Sequence, residues 1–515
     1  MSRSLELNRR DLMKLMAAAG VTAFGYSLST SPALAEQPVR GGKLRLGLKG
    51  GSTGDSLDPT VLSAAVQYFM AFQFGNCLVE RGPDGKLMGE LAESWEPRDG
   101  GKTWVFRLRK GIKFHNGAEF TADDIMHAIN RHIAPDSRSS VKAQLSRVER
   151  VTSNDPLELT VELKQIDVNF PYLLTSPAMI AVPKDAAPDS AIGTGPYVVD
   201  EAEPGVRYVL HRNPDYFKSD RAWYDEVEIL VLNDETARIS ALVSGTVDAI
   251  TLVPPQLVSG IQKAPGLKIA NAASSTFNLF VMRCDIEPFN NKDLRLAMKY
   301  AVDREQMVKA VLSGYGDVGN DSPINEVFPL YSDDLPVHSF DIEKAKDHYR
   351  KSGHSGPIQL QVSDAAFPGA VDAALLFQQS AARVGIEIAI KREPADGYWD
   401  DVWLKSPFCV SYWAANSTED QALSIAYETG APWNDTYWSN PEFDKLLAEA
   451  RSELDEAKRK AIYRKAISMV QEDGGHIIFM FPQTIVGYTE KLAGFELDHF
   501  GATGKLTERS WFRAS

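Results

Sequence analysis

Ten aromatic residues crowd one stretch of the chain: Tyr398, Trp399, Trp403, Phe408, Tyr412, Trp413, Tyr427, Trp433, Tyr437 and Trp438. Five of the nine tryptophans fall between positions 399 and 438, far denser than an even spread. Indole and phenol rings offer rigid apolar walls with one polar tip, which suits the capture of an amphipathic solute. The same rings would equally serve a core, because alternate strand positions must point inward. A second candidate is Gly50-Gly51-Ser52-Thr53-Gly54, which fits Gly-x-Ser-x-Gly. That pattern exposes a nucleophilic serine only where a strand turns sharply into a helix beginning at the serine. Here Asp55 to Pro59 continues as loop, and Pro59 forbids a helix through it. Hydrolysis through Ser52 is therefore the minor alternative. A donor-rich loop, with Ser52, Thr53 and open backbone N–H groups binding solute oxygens at a cleft, is the preferred reading.

Metal and thiol chemistry find little support. His127 and His132 stand five apart, one off the spacing that puts two ligands on one helical face. His348 and His354 straddle Gly353, and no His-Glu-x-x-His occurs. The three cysteines, Cys77, Cys284 and Cys409, are far apart and odd in number. They form no disulfide framework and allow one bridge at most, and no Cys-x-x-Cys marks a zinc site. No cofactor is implied.

The elements that must position these residues alternate between strand and helix. Gly41 to Leu48 alternates apolar and polar residues as a half-buried strand does, and Trp104 to Leu108 repeats the pattern. Val61 to Phe74 reads as a helix, as does Thr121 to His132 with Thr121 as its cap and acids in the first turn. Strands are expected at 157–163, 207–210 and 226–232, and a helix at 235–244. Asp293 to Leu312 reads as one strong helix with Leu294, Leu296 and Val308 on its apolar face. Ile358–Val362, Ala370–Val384 and Ile386–Lys391 form a strand-helix-strand unit, the signature of a parallel sheet. Residues 440–471 are largely helical, with interspersed charges that mark a solvated face. The class is α/β with several open sheets, in which ligands sit outside the carboxyl ends of strands or between domains.

The ends and the charge bound the setting. Arg9 and Arg10 precede a modest apolar run, Leu15 to Leu34, that closes on Ala33-Leu34-Ala35, the small-x-small pattern of a signal-peptidase site. Gly20, Gly25 and Pro32 make that run too weak for a stable membrane span. Residues 1–35 are thus expected to be a cleaved export signal. Asn8-Arg9-Arg10-Asp11-Leu12-Met13-Lys14 resembles the twin-arginine signal, with Asn8 for its serine and Leu12 for its phenylalanine, and implies a periplasmic destination. The net charge of −14 becomes −16 without that segment, which holds four Lys/Arg and two Asp/Glu. Such an acidic chain is a poor partner for nucleic acid or anionic membrane. The remaining 480 of 515 residues exceed one core and call for two or three domains.

Four segments resemble the extracytoplasmic solute-binding proteins of ABC importers, in the large peptide, opine and nickel class known as family 5. The first is Leu91-Ala92-Glu93-Ser94-Trp95-Glu96, running on through Thr103-Trp104-Val105-Phe106-Arg107-Leu108 to Phe114-His115-Asn116-Gly117. The second is Gly193-Thr194-Gly195-Pro196-Tyr197, with Arg212-Asn213-Pro214-Asp215-Tyr216-Phe217 soon after. The third is Leu294 to Arg304, ending in the pair Asp303-Arg304, and the last is Asn440-Pro441-Glu442-Phe443-Asp444. These motifs have structural reasons too: Trp95, Trp104 and Phe106 suit a hairpin core, the glycines a tight reversal, and Asp303-Arg304 a solvated helix end.

The resemblance implies a two-lobed periplasmic-binding-protein fold of type II with an additional domain and a hinged cleft. Lobe I would comprise 38–78, 189–283 and 483–515, the additional domain 79–188, and lobe II 284–482. It further implies a monomer that performs no chemistry, holds one small polar solute by hinge closure, and docks on membrane permease subunits. Nickel or a nickel chelate is an alternative cargo of that class. In peptide-binding relatives a Gly-Trp-x-x-Asp segment pairs its aspartate with the peptide ammonium. Tyr412-Trp413-Ala414-Ala415-Asn416 matches it, so Asn416 replaces the aspartate, and Asp420 is the nearest substitute. The loop Ser363 to Pro368 aligns with one that carries a carboxylate-binding arginine in dipeptide binders; here it holds Asp364 and no arginine. Both changes argue against a plain dipeptide, which stays one candidate for a peptide, opine or similar small polar solute, beside amines and modified amino acids. The expected ligand contacts are Trp413, Asn416, Tyr412, Asp420, Asp364, Ser52, Thr53, Tyr398 and Trp433.

Overall fold

A computed structural model describes residues 37–514, apart from 83, 495–496, 498 and 500–504. The expected export signal, 1–35, lies outside the described residues. Three sheets organise the rest. The first has seven strands, with Lys43–Leu48 at its centre, parallel to Glu226–Val231 on one side and Ala249–Ile250 on the other. Thr484–Thr489 joins it antiparallel between Ala249–Ile250 and Leu267–Ala272, and Arg207–Arg212 and Tyr197–Glu203 extend the far edge. Leu44, Leu46, Val227 and Ile229 are fully or almost fully buried beneath it, and the helix Ala65–Phe74 packs Val66, Met70 and Phe74 into the same core.

The second sheet has six strands around Phe277–Met282, every residue of which is buried. A run so apolar shows no alternation because both faces are covered, which is why periodicity does not announce it. It pairs antiparallel with Phe408–Trp413 and His476–Pro482, and Ile358–Val362 lies parallel to Ile388–Arg392. The chain therefore passes from the first sheet to the second within residues 273–276, earlier than the expected 283, and returns between Pro482 and Thr484. These two short crossings are the covalent links between the sheets along this part of the chain.

The third sheet is a four-stranded antiparallel layer: Ala92–Arg98, Thr103–Leu108, Glu158–Leu163 and Val148–Asp155. Trp104, Phe106, Leu159 and Val161 form its inner face against the helix Ala122–Ile133. Thr121 caps that helix reciprocally with Asp124. Gly193 and Gly195 join this layer to the first sheet by close approach. A Cβ on Gly193 would stand 2.1 Å from the Phe74 carbonyl oxygen, and one on Gly195 2.4 Å from the Phe74 carbonyl carbon. Only a residue without a side chain lets the Gly195 N–H reach Phe74 O at 2.9 Å while His115 meets the carbonyls of Gly193 and Gly195.

Two expected helices are broken. The 293–312 pattern divides into Lys292–Tyr300 and Arg304–Val311, because Asp303 turns out of the helix and caps the second segment through Gln306 N. Asp303-Arg304 is thus no solvated pair: Arg304 is buried and bonded to Asp321 at 2.7 Å. The 440–471 region divides likewise into Pro441–Ser452 and Glu456–Asp473, each with its own cap, Asn440 and Asp455.

Acid sensitivity is built into the third layer. His132 is buried, with Nδ1 2.6 Å from Ser139 Oγ. Burial, with Arg131 nearby, pushes its imidazole down to about 4. Because that lies below the ordinary 6.5, the unfolded chain takes the proton first, and stability present above pH 6.5 is lost as pH falls through 4. The loss should be roughly 3 kcal/mol. His132→Asn should remove this extra slope in unfolding free energy between pH 6.5 and 4.5; an unchanged slope would assign the acid sensitivity elsewhere.

Candidate functional site

Between the three sheets lies a cavity of about 550 Å³. The first sheet contributes Leu48 and Lys49, at the carboxyl end of its central strand, and Thr251, just past a parallel neighbour. This is where open α/β sheets present ligand-binding loops. The helix Ala65–Phe74 adds Tyr68, Phe69 and Phe72 as an apolar wall, and the crossings add Ser274, Thr276 and Thr484. Opposite them, Ala415, Ser417 and Gln421 follow the strand Phe408–Trp413 of the second sheet. Val141, Gln144 and Ser176 come from the additional layer and also line a smaller chamber of about 260 Å³, which therefore adjoins the larger one. Gln144 Oε1 is buried there without a partner, a polar atom left for a solute donor.

The floor is strongly charged. Glu80, Glu90 and Lys505 line it. Lys505 Nζ donates to Glu80 Oε2 at 3.0 Å and to Glu90 Oε1 at 2.7 Å. Burial alone would raise the Glu80 carboxyl, but Lys505 and Lys218 beside it hold it far below the usual carboxylate range. Burial opposes the charge on Lys505 as well, and Glu508, Glu90 and Glu80 outweigh it, keeping the ammonium protonated. Arg81 also lines this end, its guanidinium 5.4 Å above the Tyr172 ring.

The residues expected to bind solute are scattered by the fold. Trp413 is only 7% exposed, stacked on Phe277 at 6.4 Å and edged by Trp433 at 6.2 Å, with Nε1 buried and unpartnered. Tyr398 is a core residue whose hydroxyl donates to Val410 O at 2.8 Å, which removes it from any surface. Tyr412 and Trp433 are exposed and belong with Trp399 and Trp403 to an aromatic ladder of ring contacts near 6 Å. Asn416 is buried, its amide turned to Ala414 O at 3.3 Å. Asp420 is not free to neutralise an amine: Arg451 Nε holds it at 2.8 Å and Arg147 of the additional layer stands 3.9 Å away, at the wall of the smaller chamber. Asp364 is exposed and accepts Val371 N at 3.4 Å, beside a helix start.

Ser52 and Thr53 are exposed but do not line the cleft; Gly205 packs on their backbone instead. Ser52 Oγ bonds Asp55 at 3.0 Å, so the loop is closed on itself, and residues 50–54 lead into no helix. The geometry is not that of an activated serine. Among the described residues no three His, Cys, Asp or Glu side chains gather as metal ligands, and all three cysteines are free thiols.

The residues that do line the cleft were mostly missed: Lys49, Glu80, Arg81, Gln144, Gln421 and Lys505 carry no local motif. Glu80 and Lys505 are 425 positions apart, and only their shared burial joins them. One signal was available. Glu80 and Arg81 follow directly on the apolar run Cys77-Leu78-Val79, and charges continuing an interior segment need partners.

Comparisons with known proteins agree with this architecture. Residues 86–435 match the family model described as bacterial extracellular solute-binding proteins, family 5 Middle. A glutathione-binding protein, GsiB of Pectobacterium atrosepticum, is 24% identical over 499 residues, covering 93% of this chain and 95% of its own. Heme-binding protein A of Haemophilus influenzae is 26% identical over 458 residues, covering 80% and 82%. Among solved structures, HbpA2 of Haemophilus parasuis superposes with a TM-score of 0.82 at 20% identity, over 92% of this chain and all of its own. AgaA of A. tumefaciens R10, in complex with agropinic acid, gives 0.75 at 25% identity, over 92% and 99%. No helix among the described residues is long and apolar enough to cross a membrane. With the matched segment spanning well over half of its length, the chain belongs to the bacterial extracellular solute-binding proteins of family 5.

Proposed function

We propose that this protein is the substrate-binding component of an ABC importer, capturing one small charged organic solute in the cleft and delivering it to the membrane permease. The observation that carries this reading is the cavity of about 550 Å³ at the carboxyl ends of the sheet strands, walled by both large sheets and by both crossings. Its size falls within the range of about 300–1,000 Å³ usual for small-molecule sites. A rotation at residues 273–276 and 483 would open it, since those short segments are the chain's passages between the sheets. Lobe I in this reading is 38–78, 189–272 and 483–515, with 79–188 as the additional domain.

The cleft also speaks to cargo. Tyr68, Phe69 and Phe72 give apolar area, while Lys49 and Glu80 bring charges of both signs to the wall, which suits a zwitterionic solute with an apolar body. Relatives named for glutathione, and structures holding agropinic acid or the peptide STSA, are consistent with that chemistry. The reading includes export by the twin-arginine route, action as a monomer in the periplasm, and no catalysis.

A thermal-shift screen of peptides, opines, polyamines and metal chelates tests it. A cognate solute at a hundred times its Kd should stabilise the folded protein by about 2.7 kcal/mol. Mass spectrometry of whatever co-purifies, released by denaturation, would name the solute directly. A broad screen with no stabilisation, together with no co-purified molecule, would defeat the proposal.

A further inference from the structure

The smaller chamber takes no part in the charge pairing of the cleft floor. It lies between the additional layer and the helix Glu419–Tyr427, and its charged side chains answer one another. Arg147 Nη1 bonds Asp167 at 2.8 Å, and Arg451 Nε bonds Asp420 at 2.8 Å. What remains for a solute there is neutral hydrogen bonding. The two sides already touch along this edge. Val168 N–H donates to the Arg451 carbonyl at 3.0 Å, and Asn169 Nδ2 donates to the Tyr463 hydroxyl at 3.2 Å.

Two glutamines line both spaces, one from each side. Gln144 belongs to the short helix Lys142–Leu145 of the additional layer. Its carboxamide makes no hydrogen bond to any described residue, and its Oε1 is buried. A buried acceptor without a donor costs free energy that a cargo N–H would recover. Because nothing holds the carboxamide, rotation about its last side-chain bond can bring Oε1 into the chamber. Gln421 stands opposite, on the helix Glu419–Tyr427. Its Oε1 accepts the Ser417 N–H at 2.8 Å, which leaves Nε2 as a donor with no partner among the described residues. One wall thus offers an acceptor and the other a donor.

A trans secondary amide points its N–H and its C=O in opposite directions, the arrangement that two such walls require. We infer that Gln144 and Gln421 clasp a neutral amide of the cargo: its N–H donates to Gln144 Oε1, and its carbonyl accepts from Gln421 Nε2. The inference rests on the cavity being the solute site. It gives the additional layer a direct contact with the solute, and it makes the bound solute a tie between that layer and the second sheet's side. Cargo is narrowed to compounds with an internal amide beside the charged and apolar parts that the larger space takes. Polyamines lack that group.

The test is calorimetric titration of the purified full chain with tripeptides, N-acyl amino acids, opines and polyamines. Each amide is paired with its ester analogue, in which oxygen replaces the N–H. The tightest binder should contain an internal amide, and its ester should bind about tenfold or more weakly. Gln144→Met, close in shape, should bind amide and ester within about twofold of each other. The solute-free variant should lose no stability, since the carboxamide holds nothing in place. Gln421→Glu keeps an acceptor for Ser417 N–H but removes the donor, and should weaken amide and ester alike by about tenfold. Equal affinity for amide and ester, a tightest binder without an amide, or a difference that survives Gln144→Met would each overturn the clasp while leaving the cleft as the solute site. Binding by no member of the panel would remove the cleft reading together with the clasp. The ester pairs need no variant, so they decide the matter even where a replacement does not fold.

Discussion

Replacing Asp321 by alanine should cost on the order of 3–5 kcal/mol of stability, because it leaves buried cations without their counter-charge. Asp321 is fully buried, with Arg304 Nη2 at 2.7 Å from one oxygen and His338 Nδ1 at 2.8 Å from the other. Burial opposes its charge, but Arg304, His338 and Lys299 around it hold the carboxyl below the ordinary range. Arg304 spends its remaining donors on the carbonyls of Lys299 and His338, at 3.0 and 2.7 Å. The cluster therefore ties a long irregular segment, 319–340, to the helix Arg304–Val311 and the sheet behind it. The urea midpoint of the second sheet, followed by tryptophan fluorescence, should fall sharply. Asp334→Ala breaks an exposed pair with Arg464 and should leave the midpoint unmoved. A joint replacement of Asp321 and Arg304 by leucine and methionine should recover only part of the loss, since it removes the unpaired charge of Arg304 but strands the carbonyls of Lys299 and His338. A full loss in that double variant would mean the ion pair itself is the source of stability.

Trp413→Ala should be the other severe change, at about 3–5 kcal/mol, the usual cost of emptying a buried tryptophan site. From the sequence this residue is expected to bind solute first and to matter to folding second. The structure reverses the order. The indole is wedged between the parallel ring of Phe277, 11° from coplanar, and the edge of Trp433. It lies on the strand that feeds Ala415 and Ser417 into the cleft, so a collapse there would misplace both. Trp413→Phe separates the roles, because it keeps most of the packing and removes the unpartnered Nε1 donor. Solute affinity lost in Trp413→Phe at near-normal stability would give Nε1 a direct contact. Stability and affinity lost in proportion would make Trp413 purely core.

Local rules carried much of the fold because they depend on neighbours in the chain. Alternation found Lys43–Leu48 and Thr103–Leu108, each with one face buried. Capping chemistry found the helix after Thr121, and the strand-helix-strand unit from 358 onward lies parallel as expected. The same rules failed at Phe277–Met282 and His476–Pro482, which are buried on both faces and so have no period to read. They also merged two helices across Asp303, where a cap inside an apolar pattern signals a break only once the turn is seen.

The reach of the sequence alone is clear from the site. Residue order and family motifs determined the class of protein, its mixed α/β fold and its task of holding a solute, because those depend on patterns laid down along the chain. They drew the eye to the 398–438 aromatics, but not to their division into core rings such as Tyr398 and exposed ones such as Trp433. Only the tertiary structure decided the cleft. Its floor pairs Glu80 with Lys505 across 425 positions, and no local spacing encodes a contact whose partners meet only when the tail returns to the first sheet. Whether a charge is exposed and screened or buried and demanding a partner depends on what packs around it, and that is a property of the folded chain.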